Sequence, residues 1–402
     1  MKTNQWIWLS AILLFLPFLA GAQYTVTPIA NGPEWNNSQA TAINAFGDVA
    51  GVGANTYGNN NAFLYKNGIT TNLGTLGGIG GGDTFVWGMN DLDDVVGMSP
   101  AVNGGNSHAF LYTNGKMTDL GSISSGFSSA WGVNNSRRVV GQAPNPPNGT
   151  MAFYREDNSA FLQTLGNFSG GQADEAFGVN DSGWIVGSAT GFGSNNWTHA
   201  YIWNNGTFLD LGQIIGSSYS EAMAINNRGD VIGFYEDTNY DDNGFYYSAG
   251  KLQFLGVGRP NSINNIGQIV GESAGIQFLY DPVQGMRNIN TLLVTNSGWI
   301  VLDVTAINDA GQIAGVGETN YPTGPPRAIL LTPPSNLLQP TVISNQFQFT
   351  LQSVVGRTNW IETSTDLQTW SQFTNIIALN PLTNVVTGTI GGGSQFYRVV
   401  SQ

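Results

Sequence analysis

One short motif occurs seven times between residues 42 and 315 and constrains the fold more than any other feature. It reads small–apolar–Asn, a short turn, and then apolar–apolar–Gly, as in Gly132-Val133-Asn134 followed by Val139-Val140-Gly141. Its asparagines are spaced 46, 44, 46, 46, 38 and 44 residues apart: Asn44, Asn90, Asn134, Asn180, Asn226, Asn264 and Asn308. A nearly constant period of this length, holding four strand-like segments, is typical of β-propeller blades.

The turn within the motif has a mechanism that the sequence makes explicit. An Asn side chain caps a turn, and the residue three positions later favours a left-handed conformation, which glycine adopts without strain. Glycine stands there in five copies, whereas Asp93 and Arg137 occupy the other two, so we expect positive φ at both and slight strain at Arg137. A second turn, Asn114-Gly115, predicts a tight hairpin. Successive apolar residues in the strands, such as Val139-Val140, predict sheets buried on both faces.

The two ends of the repeat region fit each other. Residues 24–29 form an isolated strand before the first motif, and residues 327–331 match the third strand of a unit with no fourth strand after them. The N-terminal strand supplies the missing one and leaves no open sheet edge. We therefore predict an all-β chain with a seven-bladed β-propeller whose N-terminal strand closes the last blade, in preference to an open linear solenoid.

The N-terminus predicts export. Lys2 precedes an apolar stretch over residues 6–19, and Ala20-Gly21-Ala22 has the small–x–small pattern of a cleavage site. The sequence therefore predicts a signal peptide over residues 1–22, cleaved after Ala22, and an extracellular or cell-surface location. A membrane anchor is the alternative, but the stretch is shorter than the ~20 residues that span a bilayer. No later segment is apolar enough to cross, so we expect no membrane span in the mature chain.

Three further segments follow the signal peptide. The sequence predicts the β-propeller over residues 23–333, and the break at Pro333-Pro334-Ser335-Asn336 indicates a linker over residues 334–339. Residues 340–402 lack the repeat and contain short alternating runs, such as residues 346–351, which predict a small C-terminal β-sandwich for targeting, surface display or binding.

Charge and cysteine content exclude several kinds of chemistry. The 402-residue chain has 13 Lys and Arg against 26 Asp and Glu, a net charge of −13, and no cysteine. Cysteine chemistry and disulfides are therefore excluded, and an acidic field disfavours nucleic acid and anionic membrane surfaces as partners. We expect a monomer.

The repeats resemble those of the extracellular HAF-repeat family, named for a His-Ala-Phe motif. That motif stands here as His108-Ala109-Phe110 and, altered, as His199-Ala200-Tyr201, and five units end a strand in Leu-Gly. The resemblance covers about 310 residues and implies a secreted bacterial repeat protein without a defined molecular function. Residues 360–367, with Trp370 and the terminal run 396–399, are similar to a β-module at the C-termini of exported proteins of Verrucomicrobia-like bacteria.

Few residues suggest a catalytic or metal site. The only two histidines occupy the same repeat position, which indicates a structural role and disfavours Ser-His-acid catalysis and zinc binding. Asp237, Asn239 and Asp241 alternate as oxygen ligands do in calcium loops, so calcium is the one candidate cofactor. The alternative is a solvated acidic loop, because the glycine and closing glutamate of such loops are missing.

The loops between second and third strands are long and open on the same side as the connections between blades. They carry aromatic and amide side chains, which suit sugar recognition on a rigid scaffold. The candidate ligand-binding residues are Tyr57, Asn196, Trp197, Tyr240 and Tyr321. The alternative is that these loops are only solvated connections.

Two classes of function remain open. The first is a non-enzymatic secreted or surface protein that binds a glycan or an extracellular protein through this variable loop face. The second is a glycan-cleaving hydrolase or lyase with carboxylates in the propeller channel, which needs two carboxylates about 5–10 Å apart. Asp83, Asp174, Glu175 and Glu221 are candidates expected in the segments between blades, although no pattern in the sequence pairs them.

Overall fold

The computed structural model describes residues 23–30, 32, 35–77, 82–101, 106–124, 126–144, 149–168, 171–192, 197–343, 346–365, 368–389 and 396–401. The predicted signal peptide lies outside these ranges. The chain divides into a large unit, Thr25–Thr332, and a second unit that includes Pro333–Gln402. The described residues contain no helix long and apolar enough to cross a membrane.

Both units consist of antiparallel β-sheets, which confirms the all-β prediction. The first strand is β1 (Thr25–Pro28). The first sheet contains β2 (Asn36–Ile43), β3 (Val49–Ala54), β4 (Asn60–Lys66) and β5 (Ile69–Gly74). The second contains β6 (Phe85–Met89), β7 (Val95–Pro100), β8 (Ser107–Thr113) and β9 (Lys116–Asp119). The third contains β10 (Ser129–Val133), β11 (Val139–Pro144), β12 (Thr150–Arg155) and β13 (Gln163–Thr164).

The fourth sheet has five strands, one more than the repeat predicts: β14 (Asn167–Phe168), β15 (Gly171–Val179), β16 (Ile185–Phe192), β17 (Trp197–Asn204) and β18 (Thr207–Asp210). A short helix, α1 (Leu211–Ile215), follows. The fifth sheet contains β19 (Ser220–Ile225), β20 (Val231–Glu236), β21 (Asp242–Ser248) and β22 (Lys251–Val257). The sixth contains β23 (Arg259–Ile263), β24 (Ile269–Ser273), β25 (Ile276–Asp281) and β26 (Gly285–Asn288), and a 3₁₀ turn (Ile289–Leu292) follows it.

The seventh sheet combines the two ends of the large unit. It contains β27 (Trp299–Ile307), β28 (Ile313–Thr319) and β29 (Arg327–Thr332), and β1 pairs with β29 as its outer strand. The register aligns Thr27 with Leu330. The seventh sheet also bonds to the first, since Thr305 Oγ1 donates to the Ala40 carbonyl at 2.9 Å.

The strand that ends at the repeat asparagine is the leading strand of each sheet: β2, β6, β10, β15, β19, β23 and β27. Each leading strand contacts that of the next sheet, and β27 contacts β2. The next strand in each sheet is buried on both faces where the sequence predicts it, and Val139 and Val140 are both inaccessible to solvent.

The repeat asparagines are buried and close their turns as predicted. Every one of the seven accepts a hydrogen bond at Oδ1 from the main-chain N–H four residues later, at 2.8–3.0 Å. The residue three positions after each asparagine has a φ between 58° and 85°, including Asp93 at 61° and Arg137 at 58°. Asn114 and Gly115 also have positive φ. These local predictions are therefore confirmed.

The same asparagines link the sheets to one another. In six sheets Asn Nδ2 donates to the main-chain carbonyl of the next sheet's asparagine, at 2.9–3.1 Å. The series includes Asn308, which donates to the carbonyl of Asn44 in the first sheet. Asn44 is the exception, because its Nδ2 donates to Asp93 Oδ1 at 2.9 Å.

The glycine that ends each copy of the motif, which we call the repeat glycine, is required for a steric reason. Every leading strand carries a bulge, which falls between Ala176 and Gly178 in the fourth sheet. The bulge presses a main-chain carbonyl against the neighbouring strand, where the motif has its final glycine. A Cβ added at Gly187 would overlap the Glu175 carbonyl oxygen, and one at Gly141 would overlap that of Ser129. Only glycine therefore fits at this position.

The second unit holds six strands: β30 (Asn336–Ile343), β31 (Gln346–Gln352), β32 (Thr358–Ser364), β33 (Ser371–Ile377), β34 (Leu382–Thr389) and β35 (Phe396–Ser401). They form two three-stranded sheets, ordered β30-β31-β34 and β33-β32-β35. Phe349, Leu351 and Ile361 are buried in its core. β30 begins at Asn336, inside the segment that the sequence predicts as a linker.

Candidate functional site

The loop residues predicted to bind a ligand lie at second-to-third strand connections, as expected. Tyr57 follows β3, Tyr240 follows β20, Tyr321 follows β28, and Trp197 begins β17. Their exposed fractions are 88%, 83%, 62% and 44%. They belong to four different sheets, and within the described ranges none of these rings is in aromatic contact with another of the set. Asn196 lies outside the described residues.

The acidic loop predicted to bind calcium uses its own oxygens to form a turn. Asp237 Oδ1 accepts from the main-chain N–H groups of Asn239 at 2.7 Å and Asp241 at 3.1 Å. The main chain also closes the turn, from Asp237 N to the Asp241 carbonyl at 3.1 Å. The part of the chain that is described holds no group of three or more His, Cys, Asp or Glu placed to hold a metal ion. Calcium binding here stays a prediction.

The two histidines make the same contact in two sheets. His108 Nδ1 lies 3.0 Å from the Asp119 carboxylate, and His199 Nδ1 lies 2.9 Å from that of Asp210. Both pairs join a third strand to a fourth strand. Asp210 also caps α1 by accepting from Gln213 N at 2.8 Å. This geometry supports the structural role that their repeated position predicts.

A different set of residues forms the candidate site. Successive side chains of each leading strand alternate between its two sides, so that the residues five and three positions before each repeat asparagine lie on the same side of the strand. The residue between them is buried in every sheet. We call the residues at these two positions the leading-strand surface: Gln39, Thr41, Phe85, Trp87, Ser129, Trp131, Glu175, Phe177, Glu221, Met223, Arg259, Asn261, Asp303 and Thr305. All except Ser129 are at least partly accessible to solvent.

Aromatic rings occupy one half of the leading-strand surface. Phe85 stacks on Trp87 with 5.9 Å between ring centroids, and Trp87 stacks on Trp131 of the next sheet at 4.8 Å. Trp131 meets Phe177 of the fourth sheet edge to face at 5.5 Å. These four rings, which we call the aromatic arc, form one apolar platform across three sheets.

Charged side chains occupy the other half, at equivalent positions of the fourth to seventh sheets: Glu175, Glu221, Arg259 and Asp303. Burial raises the pKa of Glu175, and the charge of neighbouring Glu221 raises it further. Burial likewise raises the pKa of Asp303. The hydroxyl of Tyr219 donates to Glu221 Oε1 at 2.5 Å. Burial and this hydrogen bond raise the pKa of Tyr219, so the phenol stays a donor.

Arg259 is held in place by two contacts. Its Nε donates to Asp242 Oδ2 at 2.6 Å, and its guanidinium carbon lies 4.0 Å from the ring centroid of Phe234. The hydrogen bond to Asp242 raises the pKa of Arg259, and the charge of Glu221 adds to the effect. A fixed cation therefore stands among carboxylates on this half of the surface.

The expected position of the carboxylates was wrong. Asp174 and Glu175 lie within β15 and Glu221 within β19, so none of the three is in a segment between sheets. Asp83 precedes β6, and its Oδ1 accepts from Asn60 N at 2.8 Å. Counting back five residues from each repeat asparagine aligns Glu175 with Glu221, which was the sequence signal available for this site.

No protein-family model matches the chain, and no curated protein matches it. Among solved structures, an acylaminoacyl peptidase of Pyrococcus horikoshii is 11% identical with a TM-score of 0.48, covering 79% of this chain and 59% of its own. A puromycin-hydrolysing peptidase of Mycobacterium tuberculosis is 12% identical with a TM-score of 0.46, covering 82% and 61%. The chain thus spans about three fifths of the length of these two peptidases.

A fucose-binding lectin of Aleuria aurantia, described as a six-bladed β-propeller, is 12% identical with a TM-score of 0.33. It covers 67% of this chain and 95% of its own. Because all three TM-scores lie below 0.5, these similarities carry no argument about fold or function.

Proposed function

We propose that the seven sheets are the blades of a closed β-propeller, with β1 completing the seventh blade and the leading strands lining a central channel. The contact of β27 with β2 supports closure. So do the hydrogen bond from Asn308 to Asn44 and the pairing of β1 with β29. In this arrangement the leading-strand surface faces the channel.

We propose further that the protein is exported and binds a glycan in this channel. The observation that carries the proposal is the aromatic arc beside the carboxylates of Glu175 and Glu221. A sugar ring has an apolar face of C–H groups that packs on aromatic rings, and hydroxyls at its edge that donate to carboxylates. A site for such a ligand combines an apolar platform with a few placed polar groups. The exposed residues Tyr57, Trp197, Tyr240 and Tyr321 then contact parts of a longer glycan outside the channel.

Calorimetric titration of the full chain tests this proposal. The probes are hexasaccharides of glucose (β-1,4), mannose, xylose and N-acetylglucosamine. We expect at least one to bind, and Trp131→Ala to weaken that binding about tenfold or more because a stacking surface is lost. Phe254→Ala is the matched control, since this exposed ring lies on the outer strand β22. Binding that survives Trp131→Ala and is lost in Tyr57→Ala or Tyr240→Ala would contradict the channel site.

Glycan cleavage is the second candidate, favoured by the raised pKa of Glu175 beside Glu221. Two neighbouring carboxyl groups can act as acid and base or nucleophile in glycoside hydrolysis, and a raised pKa suits the group that donates the proton. Glu175 would be the proton donor. Release of reducing ends that is abolished by Glu175→Gln, with binding retained, would support hydrolysis. Binding without any release would leave the protein a binding protein.

A further inference from the structure

Arg259 is the only cation among the residues named as the leading-strand surface, and its side chain is held by two contacts while part of it stays open. Asp242 engages its Nε, and Phe234 covers one face of the guanidinium. Within the described ranges, Nη1 and Nη2 have no hydrogen-bond partner, and 53% of the side chain is exposed. The open edge is a pair of parallel N–H donors.

Two other arginines donate more of their hydrogen bonds within the fold than Arg259 does. Arg138 donates from Nε and Nη2 to Glu156 and from Nη1 to the Gly183 carbonyl. Arg228 donates from Nε and Nη2 to Asp230. Both therefore serve the fold. Arg259 makes one hydrogen bond and one cation–π contact, which leave its Nη1 and Nη2 donors for a ligand. A side chain that is already held loses less conformational entropy on binding.

The charge around Arg259 decides which acceptor fits. Asp242 and Glu221 both act electrostatically on Arg259, and Glu221 acts on Glu175 as well. Two carboxylates thus act on one guanidinium, and with Glu175 beside Glu221 the local field is negative. A carboxylate or sulfate on a ligand would be repelled, whereas a neutral oxygen would not. Two adjacent hydroxyl oxygens are neutral and match the spacing of the donor pair.

We propose that Arg259 determines specificity for a neutral sugar residue, binding two adjacent hydroxyl oxygens through Nη1 and Nη2 while one of these hydroxyls donates to Glu221. This inference rests on the proposed glycan binding and names its ligand class. Acidic polysaccharides are excluded by the carboxylates around the guanidinium. Lysine cannot replace Arg259, because an ammonium presents no parallel pair of donors.

The test compares Arg259→Lys with Arg228→Lys, a matched control in the turn between β19 and β20 of the fifth sheet. The full chain is titrated with the neutral hexasaccharides named above and with hexagalacturonate. We expect a neutral probe to bind and hexagalacturonate not to bind. Arg259→Lys should lower the affinity for the neutral probe about tenfold or more, since hydrogen bonds to a charged donor are lost. Arg228→Lys should change it less than about twofold.

A second readout separates recognition from a structural effect. Singly deoxygenated versions of the bound sugar are titrated with the wild type and with Arg259→Lys. Removing a hydroxyl that Arg259 contacts should weaken binding to the wild type and leave binding to Arg259→Lys unchanged. Tighter binding of hexagalacturonate than of any neutral probe would overturn the inference. So would an unchanged affinity of Arg259→Lys for a glycan that still depends on Trp131, and the proposed function would then stand. Absence of glycan binding to the wild type would refute both.

Discussion

Replacing Gly187 by alanine tests how tightly the bulged leading strand β15 packs against β16. The new Cβ would overlap the Glu175 carbonyl oxygen and lie 2.8 Å from the hydroxyl of Tyr201. Backbone must therefore move, and overpacking of this kind costs about 1–3 kcal/mol. The shift also breaks the hydrogen bond from Tyr201 Oη to the Glu175 carbonyl, now 2.8 Å, which adds about 1 kcal/mol. We expect Gly187→Ala to lower the free energy of unfolding by about 3 kcal/mol.

Gly178→Ala is the matched control in the same sheet. Its added Cβ would meet Val186 Cγ2 at 3.3 Å, and the fifth sheet already has Ala224 at the equivalent position. We expect a change within about 1 kcal/mol, since alanine also restricts the unfolded chain. Urea unfolding followed by near-ultraviolet circular dichroism measures both variants. Equal stabilities of Gly187→Ala and Gly178→Ala would refute the steric account of the repeat glycine.

Three further predictions follow from hydrogen bonds and charge. Asn134→Ala removes the turn acceptor and the donor to the Asn180 carbonyl, and should lower the free energy of unfolding in urea by about 3 kcal/mol. Asn134→Asp should have an intermediate effect, and a loss below about 1 kcal/mol for Asn134→Ala would contradict the linking role. Tyr201→Phe should lower the free energy of unfolding by about 1 kcal/mol, because it loses the hydrogen bond to the Glu175 carbonyl. The ring itself should fit, since most other sheets have phenylalanine at this position. The raised pKa of Glu175 means that the folded chain holds its proton to higher pH than the unfolded chain, so stability is present below the ordinary value of 4.5 and is lost as pH rises through the folded pKa. Glu175→Gln should therefore gain melting temperature over the wild type as pH rises from about 4 to about 7, and a difference that does not change with pH would contradict this sign.

Local features of the repeat could be read from the sequence because they depend on a few neighbouring residues. Positive φ at Asp93 and Arg137 follows from their place in the turn, and both were predicted. The burial of Val139 and Val140 follows from apolar residues on both faces. The steric cause of the final glycine could not be predicted, because it arises from a bulge in another strand.

The leading-strand surface could not be assembled from the sequence for a related reason. Trp87, Trp131 and Phe177 are 44 and 46 residues apart, and their contact depends on which sheets are neighbours. The sequence shows Glu175 and Glu221 as acidic residues, but the side of the sheet that they face depends on the bulge. Loop aromatics such as Tyr240 are predicted as ligand-binding residues because they stand in variable segments, but in the structure they belong to different sheets and are not in aromatic contact with one another.

The pairing of β1 with β29 has a consequence for how the large unit folds. Thr27 lies opposite Leu330, so the seventh sheet needs the strand of the large unit that the ribosome makes first and the three strands of this unit that it makes last. Closing a loop of this length is entropically costly and slow compared with forming the local hairpins. The six earlier sheets can form as the chain emerges, whereas β1 must wait unpaired until the end. Folding of this unit is therefore completed in a single late step that joins its oldest and newest residues.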